Sequence, residues 1–246
     1  MTMSYGCGGK YYWEINNIPE WTVLISELPK ALEYFVKEGR ILFVSRNGEK
    51  LNYMNENSLK RFERLLSELA ASLPKCDPGY DPLPLTQWIL LGAITEVSLQ
   101  IILAVYHTDF LNERWQLWED TETASIRNQI DELLKKAVAE GKISAKQRKS
   151  IVGAIDDEIK THTKQHEIDR IMLDELIQLA QKTGFLLNSD ILDQLRIIQR
   201  NRNCIHAFSE RSIDGWNELK VSLNTLGYMW DDFGYRFEAE NTSLSS

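Results

Sequence analysis

Apolar residues along this chain recur mostly at intervals of three and four, the spacing that lines one face of a helix. Trp21, Leu24, Ile25, Leu28, Leu32 and Phe35 form the first such stripe. Pro19-Glu20-Trp21 opens it, Gly39 marks its expected end, and Pro29 inside it is a candidate kink. The period then changes. Ile41-Leu42-Phe43-Val44 and Leu51-Asn52-Tyr53-Met54 flank Ser45-Arg46-Asn47-Gly48-Glu49-Lys50. Asn-Gly tolerates the positive φ of a tight turn, so a β-hairpin is predicted there. Asn57 or Ser58 then caps a helix running to about Leu73.

The segment Pro74 to Pro84 holds four of the six prolines and cannot continue a helix. Asp77 and Asp81 within it are turn-forming neighbours of proline rather than metal ligands. Beyond it only helices are predicted. Leu85 to Asn112 is apolar almost all round. Its core approaches membrane-spanning length, but Gln87, Glu96 and Gln100 interrupt it, which favours the buried central helix of a bundle. Thr123 to Glu140 is amphipathic and stopped by Gly141, and Ser144 caps the next helix from Ala145. Ile168 to Lys182 ends at Thr183-Gly184; a helix from Asn188, Ser189 or Asp190 runs to about His206; and a last one starts at Gly215. The expected fold is therefore mainly α. Residues 1–80 form a small amino-terminal helix–β-hairpin–helix module, 81–238 a helical bundle, and 239–246 a disordered polar tail.

Composition narrows the function. The 246 residues are 43% hydrophobic and 26% charged, ordinary for a globular protein. A net charge of -8 argues against an extended nucleic-acid-coated surface while leaving room for a local basic site. Cys7, Cys76 and Cys204 are scattered, with no CxxC spacing for a disulfide framework or a cysteine zinc site. Met1 to Lys10 is Gly-rich and lacks the pattern of a signal peptide, so a cytoplasmic protein with no membrane partner is expected. No P-loop, GxSxG elbow or dinucleotide fingerprint occurs. Glu158, His162 and His166 share one helical stripe with Asp169 nearby, but the stretch is highly charged and reads as a solvated face. Trp115, Trp118, Trp216 and Trp230 read as core or interface rather than base-stacking platforms.

The chemistry concentrates in Arg200-Asn201-Arg202-Asn203-Cys204-Ile205-His206. If the helix continues through it, Arg202, Asn203 and His206 share a face, while Arg200 lies about 200° round from Arg202. Arg200 then joins only if the helix unwinds near its end or reaches across a dimer. A guanidinium grips phosphate, Asn orients a partner, and His exchanges a proton near neutrality. Such a set can cleave an RNA phosphodiester without a metal or cofactor. From Lys182 to Arg211 the chain carries a net +2, against -8 overall. The structural reading of the same residues is helix capping, with His favoured by the dipole. Glu96, mid-helix among Ile94, Val97, Leu99 and Ile101, is either a partner for Arg202 or His206 or a water-exposed position.

The run Leu173-Asp174-Glu175-Leu176-Ile177-Gln178-Leu179-Ala180, then Thr183-Gly184-Phe185-Leu186, then Leu195 through His206 is similar to bacterial HEPN-like proteins. There an L-x-x-L-I-x-x-A helix precedes a turn and a helix ending in R-N-x-I-H. Arg202-Asn203-Cys204-Ile205-His206 matches that ending, with Ala207 where proline often follows. The resemblance implies a HEPN-like bundle and a homodimeric, metal-independent endoribonuclease leaving 2′,3′-cyclic phosphates. It also implies work in toxin–antitoxin or antiviral defence, with a cognate antitoxin or defence protein as partner. Arg200, Arg202, Asn203 and His206 are the candidate catalytic residues, with Asn201 and Glu96 in support. Catalytic family members leave four to six residues between Arg and His; Arg202 leaves three and Arg200 five. Either Arg200 is the catalytic arginine, or the chain joins the HEPN-like relatives with the R-N-x-I-H ending. The rival reading is a non-catalytic HEPN-like dimerisation or partner-binding module, in which Arg202, Asn203 and His206 hold the bundle or a dimer together. A third reading, a nucleic-acid regulator using the hairpin as a wing, has only Arg46 and Lys50 to support it.

Overall fold

The computed structural model describes residues 13, 17–47, 54–75, 83–107, 121–162, 168–183, 186, 188–205 and 212–244. The helices are α1 (Trp21–Asn47), α2 (Glu56–Ser72), α3 (Leu85–Val105), α4 (Thr121–Ala139), α5 (Ala145–His162), α6 (Leu173–Thr183), α7 (Ser189–Arg202) and α8 (Trp216–Leu244). Short 3-10 turns occur at Ile168–Arg170 and Asn203–Ile205, and no strand occurs among the described residues. The protein is mainly α. It divides into two compact units, Met1–Tyr106 with Ile168–Ser246, and the intervening His107–Glu167.

In the larger unit α3 is the central helix, and α1, α2, α6, α7 and α8 all pack on it. Its apolar surface is consumed by that packing: Trp88, Leu91, Ile94, Leu99, Ile102 and Val105 are buried. Among the described helices it alone is long and apolar enough to cross a membrane, but its most apolar stretch is 67% buried inside the unit. Its polar residues are satisfied locally. Thr95 and Ser98 donate to the carbonyls of Leu91 and Ile94, each at 2.8 Å, and Trp230 Nε1 donates to Ser98 Oγ at 2.9 Å. Trp230, fully buried against Phe62, is thus a core residue.

Helices α1 and α8 run side by side and parallel, with Trp21 against Trp216 at one end and Arg46 bonded to Glu240 at the other. This pairing overturns three expectations. The predicted hairpin is not formed in its first half: Ile41–Val44 belong to α1, which continues to Asn47. Leu51, Asn52 and Tyr53 lie outside the described residues. Four consecutive apolar residues fit either period, and here Leu42 and Phe43 extend the buried stripe of Phe35 and Gly39. Gly39 is not a helix stop but a point of close approach, where an added Cβ would sit 3.2 Å from the Phe237 ring. Second, α1 and α2 share one core with α3, so the proline-rich segment near residue 80 joins parts of a single unit instead of separating two domains. Third, the expected disordered tail at 239–246 is helical to Leu244. The acids at its start and just before it are tied down: Tyr106 donates to Glu240 and Tyr34 to Glu238, each at 2.6 Å. Burial and these carboxylates push both phenols well above their usual range.

The smaller unit contains the α4–α5 hairpin. Gly141 has φ of 69°, and the N–H groups of Gly141 and Lys142 return to the carbonyls of Val138 and Ala137, a glycine-terminated helix end. Ser144 and Gln147 then bond each other's backbone reciprocally, which fixes the start of α5. Two bidentate pairs, Arg127 with Asp156 and Arg148 with Asp131, clamp the helices together. Both caps are legible in the sequence.

Candidate functional site

Helix α7 starts at Asn188, whose side chain accepts the Asp190 N–H at 2.8 Å. Ile191, Leu195 and Ile198 form its buried stripe, and the next position of that stripe is Asn201, fully buried. A buried amide is tolerable only when its donors and acceptors are matched. Asn201 Nδ2 donates to the Ile197 carbonyl at 2.9 Å and to Asp214 Oδ2 at 2.8 Å, while Asp214 N donates to Asn201 Oδ1 at 2.8 Å. The Asp214 carbonyl also accepts from Trp88 Nε1 at 2.9 Å. Asp214 thereby braces the start of α8 against the end of α7 and the start of α3.

The two arginines of the cluster have different surroundings. Arg202 donates to Glu96 on α3 in a part-buried pair, with side chains 25% and 19% exposed. Glu96 also accepts the Leu173 N–H at 3.1 Å, at the amino-terminal end of α6. A guanidinium and a helix amino terminus together account for a carboxylate on the central helix. The Arg202 stem lies directly on Gly92, one turn earlier on α3. A Cβ there would stand 2.5, 2.8 and 2.9 Å from Arg202 Cδ, Cγ and Cβ. Because that clash includes the Arg202 Cβ, rotation alone cannot relieve it. Gly92→Ala is therefore expected to destabilise the larger unit by about 2 kcal/mol, through displacement of the α7 end. Thermal unfolding checks this, and an unchanged melting temperature would contradict the close packing.

Arg200 instead reaches outward. Its side chain is 55% exposed and donates to Asp214, the carboxylate that also holds Asn201. Cys204 Sγ donates to the Arg200 carbonyl at 3.3 Å and lies 3.8 Å from the Ser212 carbonyl, closing the helix end. Farther along α7, Arg196 and Gln199 bond Asp174 of α6 at 2.7 and 2.8 Å. Hydrogen bonds from Gln199, then Arg196 and Gln178, hold the Asp174 carboxyl below the usual carboxylate range.

The α-helix ends at Arg202, and Asn203, its carboxy-terminal capping residue, begins a 3-10 turn. The single helical face expected for Arg202, Asn203 and His206 therefore stops at its first member, because the chain tightens there. His206 lies outside the described residues, as do Trp115, Trp118, His166 and the His162 side chain. Arg202 and Glu96 are brought together, one of the two partners expected for Glu96. Arg200, Asn201 and Asp214 form a second, adjoining group. Asp214 is the residue sequence reasoning missed; its only signal is an Asp-Gly pair just before a helix. No group of three or more metal-ligating side chains occurs among the described residues.

Chemically, this end of α7 offers one solvent-facing guanidinium on a rigid buried base, beside a second guanidinium engaged in holding the bundle. No family model matches this chain, and no curated protein or solved structure matches it significantly.

Proposed function

We propose that the chain is a metal-independent endoribonuclease of the HEPN type, with Arg200 as its phosphate-gripping residue and His206 as its proton carrier. The observation that carries this reading is the division of labour between the arginines. Arg202 is held on Glu96 and Gly92, whereas Arg200 is 55% exposed and five residues separate it from His206 in the sequence. That spacing is the one the family resemblance implies for catalysis.

In the proposed reaction His206 removes the proton from a ribose 2′-OH, and the 2′ oxygen attacks the adjacent phosphorus. A P–O2′ bond forms, the P–O5′ bond breaks, and the 5′ oxygen leaves with the proton that the His206 imidazolium returns to it. The products are a 2′,3′-cyclic phosphate and a 5′-hydroxyl. Arg200 counters the charge that builds on the non-bridging oxygens. Asp214 holds Arg200 in the free protein and yields it to the more highly charged phosphorane, while Asn201 keeps Asp214 in place. Asn203 contributes by ending the helix before His206. We further read the chain as a cytoplasmic homodimer of the HEPN-like fold, acting in toxin–antitoxin or antiviral defence beside a cognate partner.

A second reading, a non-catalytic HEPN-like dimerisation or partner-binding module, is favoured by one observation: both guanidiniums already have carboxylate partners. Total RNA incubated in EDTA with the wild-type chain and with His206→Ala separates the two. EDTA-resistant cleavage by the wild type, reduced about 1000-fold in the variant, supports the enzyme. Intact RNA with both proteins, at equal dimer content, supports the module.

A further inference from the structure

The most strongly charged segment of the chain lies in the smaller unit, away from the cluster on α7 in sequence. Between Lys135 and Lys149 stand six basic residues and one acidic, Glu140, a net +5 in a chain of -8. The flanking parts of the same hairpin are acidic, with Asp131 and Glu132 before this segment and Asp156, Asp157 and Glu158 after it. The positive charge is therefore gathered at the tip.

Some of it is spent locally. Arg148 is clamped on Asp131, Lys135 contacts Glu132 and Asp131, and Lys142 pairs with Glu140. Lys136, Lys146 and Lys149 are exposed and have no carboxylate partner among the described residues. Helix stability does not account for them all. Lys136 lies in the last turn of α4, where the dipole favours a cation, but Lys146 lies in the first turn of α5, which has no acid. Cations there oppose the dipole and repel their neighbours. The tip is also preorganised, since the glycine-terminated end of α4 and the reciprocal cap of α5 fix the turn. No described side chain of α4 or α5 is buried, so the hairpin presents a charged surface more than a core.

We infer that the tip of the α4–α5 hairpin is a binding surface for the phosphate backbone of RNA, contacted by Lys136, Lys146 and Lys149. The choice of RNA over another polyanion rests on the ribonuclease reading; the surface itself rests on the charge pattern. An arm of this kind holds a strand without reading its sequence, because lysines engage phosphates as point charges.

The test uses the full chain carrying His206→Ala, so that cleavage does not obscure binding. Polarisation of a fluorescein-labelled single-stranded RNA is titrated at several salt concentrations, with and without the added changes Lys136→Glu, Lys146→Glu and Lys149→Glu. Loss of three phosphate contacts is expected to weaken binding by about tenfold or more at low salt and to flatten the log K against log salt slope by about 2. An acid at position 146 suits the helix dipole while one at position 136 opposes it, so circular dichroism of the triple variant is used to verify that the fold is kept. Equal affinity and slope in both proteins would overturn the inference, as would no RNA binding by the parent. Binding to phosphatidylserine vesicles but not RNA would likewise overturn it, assigning the tip to a membrane surface. If wild-type protein leaves RNA intact while the charge-dependent binding holds, the ribonuclease reading fails and the RNA-binding arm stands.

Discussion

Arg200→Ala is expected to slow RNA cleavage by about 100-fold while changing the melting temperature little. The first half follows from the charge it supplies: removing one well-placed donor to a developing oxyanion costs roughly 3 kcal/mol of barrier. The second follows from its exposure. At 55% exposed, the Arg200 pair with Asp214 is screened by water, and exposed ion pairs contribute about 0–1 kcal/mol. Arg202→Ala should behave in the opposite way, since it leaves Glu96 only 19% exposed and without its guanidinium. Comparing rates with melting curves for the two variants checks the assignment. If Arg202→Ala keeps its stability but loses activity, while Arg200→Ala keeps its rate, the roles of the two arginines are reversed.

Asn201→Leu is expected to destabilise the larger unit by about 3 kcal/mol. The new side chain fits a buried position, but it removes the acceptor of the Asp214 N–H and one donor to the Asp214 carboxylate. Each buried polar group left unmatched costs about 1–3 kcal/mol. For a protein of this size the melting temperature should fall by roughly 6–12 °C. A fall under about 2 °C would mean that water replaces the lost bonds and that the brace contributes little. Because Asp214 also holds Arg200, the variant should lose cleavage activity even below its melting point.

The helical order from Leu85 onward is legible in the sequence because its signals are local, although α6 begins at Leu173, after a 3-10 turn at Ile168–Arg170, and not at the expected Ile168. Gly141 and Ser144 act within a few residues, and the stripe of Ile191, Leu195 and Ile198 states its own period. The amino-terminal half misleads for the same reason. Asn47-Gly48 favours a turn locally, yet Leu42 and Phe43 continue the stripe that α1 buries against α8, and long-range packing prevails. Gly39 reads as punctuation because a sequence does not reveal that a phenylalanine two hundred residues later will rest on it. Prolines interrupt a helix within one core, where α2 and α3 pack on each other on either side of this segment, as readily as at a domain boundary. At the site, Glu96 announces itself as a carboxylate in an apolar helix, and its pairing with Arg202 is one of the two the sequence suggests. Asp214 does not, because its partner Asn201 lies thirteen residues earlier and neither residue type is unusual where it stands. A helical face through Arg202, Asn203 and His206 requires an unbroken helix, whereas the helix ends at Arg202.

The most direct measurement is the chemistry of the cut ends. A short RNA oligonucleotide should be incubated in EDTA with the wild-type chain, with His206→Ala and Arg200→Ala in parallel, and the products resolved by mass. Fragments ending in a 2′,3′-cyclic phosphate and beginning with a 5′-hydroxyl, formed by the wild type and nearly absent with both variants, are the predicted result. Uncut RNA with the wild type, or cleavage that persists undiminished when Arg200 and His206 are removed, would contradict it.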